Sequence, residues 1–183
     1  MTSVTQAAEA TLPTGTWVTD QSHSRAEFEV EHAGISLFRG GFSPIEARLA
    51  VEDGGAVLEG EVSVSSVSID DENIRPHLLS PEFFDADRNP EVRFRSTAIS
   101  GDADDLRVRG ELSMAGVSRA VEARGRLRGP VSLGPGVERL TLELETAIDR
   151  TDYGMNWQMD LPGGGTALAN EVKLVVSLEL NKE

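Results

Sequence analysis

Three histidines, His23, His32 and His77, are the residues best suited to metal or proton chemistry in this chain. No two of them stand at the spacing that would put both on one face of a helix, as a helical zinc pair requires. No metal site is assigned. A three-histidine site assembled in space stays open, but the simpler reading has His23, with Ser24, and His32 hydrogen-bonding strand ends. The carboxylates of DDENIR, residues 70–75, would need burial to act as an acid–base pair, and the run reads as a solvated loop. No Gly-x-Ser-x-Gly elbow, glycine-rich phosphate loop or dinucleotide fingerprint occurs. No catalytic residue is assigned, and no enzyme is expected.

The other notable chemistry is apolar. Residues 74–94, IRPHLLSPEFFDADRNPEVRF, crowd His77, Leu78, Phe83 and Phe84 between prolines. Ser80-Pro81-Glu82 predicts a helix start, with Ser80 as N-cap, Pro81 at the first helical position, and Phe83 and Phe84 on the helix. A second long segment, GMNWQMDLPGGGTALA at 154–169, carries Met155, Trp157, Met159 and Leu161. Connections longer than about 12–15 residues are uncommon in compact domains and are commonly lids or mobile segments. Phe83, Phe84 and Trp157 are bulky for connections unless they cover something. The first segment either roofs an apolar interior or is a helix that caps the fold with nothing beneath it.

The elements that must hold these segments are strands. Ala26, Phe28, Val30 and His32 share one face, with Arg25, Glu27, Glu29 and Glu31 on the other. The same period of two runs through Ile45/Ala47/Leu49/Val51 and Leu106/Val108/Gly110/Leu112/Met114. It returns in Leu140/Leu142/Leu144/Thr146/Ile148 and Val172/Leu174/Val176/Leu178/Leu180. Alternation of this kind marks strands with one dry and one wet face, and hence an antiparallel sheet. Turn signals lie at Asp53-Gly54-Gly55, Gly101-Asp102, Ala115-Gly116 and Gly134-Pro135-Gly136. In EVSVSSVSID the phase flips at Ser65-Ser66, which predicts a bulge or corner. Roughly eight to ten strands either close into a barrel or split into a sandwich.

The chain has 183 residues, of which 31 are acidic and 17 basic, for a net charge of −14. That balance argues against nucleic acid and anionic membrane surfaces as partners, since both need clustered Lys and Arg. With no cysteine, neither a disulfide framework nor a thiolate metal site is possible. The first residues lack the pattern of a signal peptide, and no run approaches the roughly 18 apolar residues of a membrane span. A cytoplasmic, non-integral protein is expected, with residues 1–14 as a disordered tail and 15–183 as one domain.

Several segments together resemble the YceI-like family. WVTDQSHSRAEFEVEHAGISLFRGGF is similar to its opening, with Trp17, Asp20-x-x-His23-Ser24, Phe28-x-Val30-x-His32 and Gly40-x-Phe42. IRPHLLSPEFFDADRNPEVRFRST is similar to its second conserved segment, and VRGELSMAGVSRAVEARGRL to a strand pair. The resemblance implies an all-β fold: an extended, lipocalin-like antiparallel barrel of about eight strands, with one short helix at the barrel end. It also implies a bound isoprenoid, a quinone or polyprenyl chain, and no required cofactor.

Under that reading the inward register supplies Phe28, Val30, Phe94, Leu112, Leu142 and Val176 as tunnel lining, with Phe38 and Phe42 beside them. His32 would meet a head group at the mouth, and His77, Leu78, Phe83, Phe84 and Trp157 would form the lid. Arg93 and Arg95 alternate with Phe94 and should face outward, so a neutral head group such as a quinone is expected rather than a diphosphate. The alternative is a filled barrel serving as a protein-interaction or stress-response module. A homodimer is compatible with an open-ended barrel.

Overall fold

The computed structural model describes residues 10–183. Its strands are β1 (Gly15–Thr19), β2 (Arg25–His32), β3 (Ser36–Phe42), β4 (Ile45–Glu52), β5 (Gly55–Ser63), β6 (Val67–Ile69), β7 (Glu91–Gly101), β8 (Leu106–Met114), β9 (Val117–Gly134), β10 (Val137–Asp149) and β11 (Leu168–Lys182). The predicted alternation is a burial alternation. In β4, Ile45, Ala47, Leu49 and Val51 are buried, while Glu46, Arg48 and Glu52 are exposed. β8 repeats it with Leu106, Val108, Gly110, Leu112 and Met114. Burying those faces against one another supplies the driving force.

The sheet closes. Its order runs β1-β4-β5-β7-β8-β9-β10-β11, and β1 also pairs with β11, which makes an antiparallel barrel of eight strands. The closing register sets Trp17 opposite Lys182 and Thr19 opposite Leu180. β11 is shared along its length. Its last residues pair with β1, and residues 168–177 pair with β2, from which β3 and β6 follow. The phase flip at Ser65-Ser66 is a corner, a single 3-10 turn over Val64–Ser66. There the chain leaves β5, paired with β4 and β7, and enters β6, paired with β3.

One helix, α1 (Arg75–Leu79), lies in the first long connection. It is not the helix expected from Ser80-Pro81. Pro76 stands in its first turn, and Ser80 is its C-cap, extended at φ −73° and ψ 167°. A proline disfavours helical geometry in the residue before it, so Pro81 ends the helix at Ser80 instead of starting one. The Ser80 hydroxyl donates to the His77 carbonyl at 2.7 Å. Phe83 and Phe84 consequently lie in the turns that follow, with Phe84 N–H donating to the Leu78 carbonyl at 3.0 Å.

Of the expected tail, residues 1–9 lie outside the described residues. Residues 10–14 are held against the barrel: Ala10 N–H donates to the Ile99 carbonyl at 3.3 Å, and Leu12 is buried. Trp17 fixes this segment by donating from Nε1 to the Pro13 carbonyl at 3.0 Å. Among the described residues no helix is long and apolar enough to cross a membrane.

Candidate ligand-binding cavity

Along its axis the barrel has three zones. At one pole Trp17, Leu49, Leu106, Val108, Leu140 and Leu180 are all at most 2% exposed, and the interior is solid. Midway it is hollow, with a cavity of about 150 Å³. At the other pole the two long connections and the tip of the β2–β3 hairpin gather. Of the expected lining residues, Phe28, Phe42, Phe94, Leu112 and Val176 border the cavity. Val30 lies beyond it toward the hairpin tip, opposite Phe38 and Val172, and Leu142 lies beneath it toward the solid pole, opposite Leu127 and Leu178.

The hollow exists because several inward positions are small. Ala26, Ala47, Gly60 and Ala123, on four different strands, all face it. Gly60 is flanked by Ala47 and Phe94 across the two neighbouring strands. A Cβ there would find nothing closer than Glu46 O at 3.8 Å and the Ala47 Cβ at 3.9 Å. Gly40 and Gly110 serve another purpose. A Cβ at either would stand 2.4 Å from a ring carbon, of Phe28 over Gly40 and of Phe94 over Gly110. Those glycines let the two rings lie flat along the wall, whereas Gly60 leaves space. Volume then limits occupancy: cavities near 150 Å³ hold a group of about benzene size. The hollow is thus matched in size to one isoprene-sized unit.

The cover is built from aromatic contacts. Phe84 packs edge-on against Phe42, with ring centroids 5.7 Å apart, and Phe42 in turn lies 5.8 Å from Phe28. Phe38 extends the row at 6.2 Å from Phe28. Further out, Trp157 packs edge-on against His77 at 5.1 Å and lies 5.9 Å from Phe83, while His77 lies 5.0 Å from Phe83. Leu78, Phe83 and Phe84 are buried, and Trp157 is half-buried. The two connections, far apart in sequence, thus touch through these three rings. None of Phe83, Phe84 or Trp157 borders the cavity itself.

Of the polar residues, His23 and Ser24 make the strand-end hydrogen bonds expected of them, and His77 meets a carboxylate. His77 Nε2 is 2.7 Å from Glu82 Oε2. His32 is exposed at the end of β2, where the β2–β3 turn begins. His23 pairs with Asp20 at 3.1 Å, and the Ser24 hydroxyl accepts from Glu179 N–H at 2.9 Å. Asp20, His23 and Glu179 place ligand atoms within 4.8 Å of one another. A guanidinium already neutralises that group: Arg139 is 3.4 Å from Asp20 and 2.6 Å from Glu179.

Arg150, which the sequence reading passed over, organises the second connection. It is 3% exposed. Its guanidinium donates to the carbonyls of Met155 at 2.5 Å, Trp157 at 2.8 Å and Ala169 at 2.9 Å, and to Asn170 Oδ1 at 3.3 Å. Burial pushes its pKa down from the ordinary arginine value, and neighbouring Asp149 opposes that. Carbonyl dipoles satisfy the donors where a carboxylate usually would. A signal for it existed: Arg150 continues the inward parity of Leu144, Thr146 and Ile148, and a charge at an inward position needs partners. Nearby, the Tyr153 hydroxyl is buried without a partner, and burial raises its pKa.

Comparison with known proteins places this geometry. Protein YceI of Escherichia coli O17:K52:H18 is 28% identical over 160 residues, which cover 86% of this chain and 81% of that protein. A UPF0312 protein of Pectobacterium atrosepticum is 26% identical over the same length, covering 86% and 80%. Among solved structures, Burkholderia cenocepacia BcnA superposes with a TM-score of 0.69 at 17% identity, covering 90% of this chain and 99% of its own. A polyisoprenoid binding domain from Saccharophagus degradans, implicated in plant cell wall breakdown, has a TM-score of 0.65 at 11% identity, covering 93% and 100%. The model of the YceI-like domain matches residues 17–180, nearly the whole chain, which therefore belongs to the YceI-like family.

Proposed function

We propose that the barrel binds the hydrocarbon tail of an isoprenoid lipid, for storage or transport, without catalysing a reaction on it. The observation that carries this reading is the apolar hollow inside a closed barrel, solid at one pole and covered by aromatic side chains at the other. Each buried methylene contributes about 0.8 kcal/mol, so a single five-carbon unit in the hollow gains roughly 4 kcal/mol before ordering costs. The polyisoprenoid-binding relative among the solved structures supports the same ligand class.

A neutral head group, with an isoprenoid quinone preferred, agrees with the fate of the nearby cations. Arg93 pairs with Glu61 at 2.7 Å and with Glu91, and Arg95 pairs with Glu59. Arg75 donates to the Val67 carbonyl at 2.8 Å and to the Ser65 carbonyl. Arg150 is consumed by carbonyls. A diphosphate would have to compete for each of them.

The test has two arms. Native mass spectrometry and organic extraction of protein purified from its own host should reveal a bound apolar molecule. Extracted protein should then gain more thermal protection from a prenylated quinone than from a prenyl diphosphate of equal chain length. An empty extract with no protection by either ligand refutes lipid binding and favours a surface-acting, filled barrel. Equal or better protection by the diphosphate refutes the neutral head group alone.

A further inference from the structure

Among the described residues, exposed large apolar side chains are confined to a few places on this barrel. Ile35 is 88% exposed, Leu37 46% and Met159 53%. They share one rim. Ala33 N–H donates to the Ala167 carbonyl at 2.8 Å, and Ala167 N–H donates to the Met159 carbonyl at 2.8 Å. The hairpin tip and the second connection are thereby fastened side by side at the covered pole. The side of this pole formed by the hairpin tip and the second connection is nearly uncharged, whereas the first connection across it carries Asp70, Asp71, Glu72, Glu82, Asp85 and Asp87 against Arg75 and Arg88. Segments 33–38 and 154–169 together contain one charged residue, Asp160, whereas 26% of the chain is charged and its net charge is −14.

From this we infer that the rim docks on an uncharged lipid surface, a bilayer of zwitterionic head groups. Side chains such as Ile35 and Leu37, standing clear of the backbone on a neutral rim, can enter the head-group boundary, as the apolar face of an interfacial helix does. Coulomb repulsion between a chain of −14 and anionic lipid opposes the same approach, so the preferred surface is neutral. A stable partner subunit is a poorer match, because such interfaces bury about 800 Å² per side and this rim offers three exposed apolar side chains. Docking in this pose sets Met159, and Trp157 two residues before it, against the lipid. The cover would then face the phase in which a water-insoluble chain resides. That last consequence rests on the proposed ligand; the docking itself does not.

The experiment uses the full chain and vesicles that contain no isoprenoid, so its failure is distinct from failure of the ligand reading. Flotation is measured with phosphatidylcholine vesicles and with phosphatidylcholine mixed with phosphatidylglycerol. The native chain should float with the first, persist there at high salt, and bind the mixed vesicles more weakly. The triple variant I35S/L37S/M159S should bind at least about tenfold more weakly, since burying even one such side chain is worth about that factor, while its melting temperature is unchanged. A second variant, V131S/L133S, alters the exposed tip of the β9–β10 hairpin at the solid pole and should bind like the native chain. The inference is overturned if the native chain does not float, or if anionic lipid strengthens binding. It is equally overturned if V131S/L133S carries the loss, or if the rim variant instead dissociates a dimer seen in solution.

Discussion

Replacing Gly60 by valine puts three carbon atoms into the hollow of the barrel, on the inward face between Ala47 and Phe94. The backbone there needs no left-handed geometry, and the nearest atoms to an added Cβ stand at 3.8 and 3.9 Å, which is ordinary contact. Three buried carbons at about 0.8 kcal/mol each give roughly 2.4 kcal/mol. Relieving a strand of glycine's excess chain entropy adds about 0.5–1 kcal/mol. A stabilisation of about 3 kcal/mol follows, or roughly 6–12 °C in melting temperature for a domain of this size. The same carbons occupy the space that one isoprene unit would take. Gly60→Val should therefore raise the melting temperature of extracted protein and abolish lipid retention together. Differential scanning calorimetry and extraction from a co-expressing host measure the two effects. The contrast is Gly110→Ala, whose Cβ would stand 2.4 Å from both a Phe94 ring carbon and the Arg95 carbonyl oxygen, and which should destabilise. If Gly60→Val is destabilised, or is stabilised and still retains the lipid, the assignment of this hollow as the binding space is wrong.

Arg150→Met leaves the carbonyls of Met155, Trp157 and Ala169 without their donor. At about 1–3 kcal/mol per buried unsatisfied group, stability should fall by about 3 kcal/mol or more, with limited proteolysis cutting first within 154–169. Trp157→Ala removes a half-buried ring from the outer side of the cover, so lipid release should speed severalfold while the melting temperature falls by only a few degrees. A large stability loss with unchanged release would make Trp157 plain packing. Asp149 accepts from Thr151 Oγ1 at 2.6 Å and Thr151 N–H at 2.8 Å, and these hold its pKa below the usual 3.8. A lowered folded-state pKa confers stability that is present above the unfolded value and lost as pH falls through the folded one. Acid melts should therefore show native protein losing stability below about pH 4 more steeply than Asp149→Asn.

The strands were legible because each keeps one wet and one dry face. Arg93 and Arg95 flank Phe94, and the first two are exposed and ion-paired while the ring turns inward. Closure was not legible: it depends on Trp17 meeting Lys182, a pairing between the two ends of the sequence that no local pattern encodes. The helix was displaced by several residues because Pro76 and Pro81 both carry a helix-start signature, and the chain is helical through Pro76 while Ser80, before Pro81, is extended and ends the helix. The YceI-like motifs settled what alternation left open between barrel and sandwich.

For the cavity, parity tells which way a side chain points but not how far along the axis it lies. Phe28 and Val30 have the same parity on the same strand, yet the first borders the hollow and the second does not. Depth is set by which small residues come level with one another, and Ala26, Ala47, Gly60 and Ala123 lie on four strands with no sequence relation. Reading the large residues finds the wall; reading the small ones finds the space. A barrel with this register and larger groups at those four positions would be as solid throughout as it is around Trp17. The difference between a filled β-barrel and one able to hold a hydrocarbon thus comes down to a handful of missing carbon atoms. A search for lipid-binding members of this architecture should accordingly follow inward glycine and alanine at matched depth, not the aromatic residues that first draw the eye.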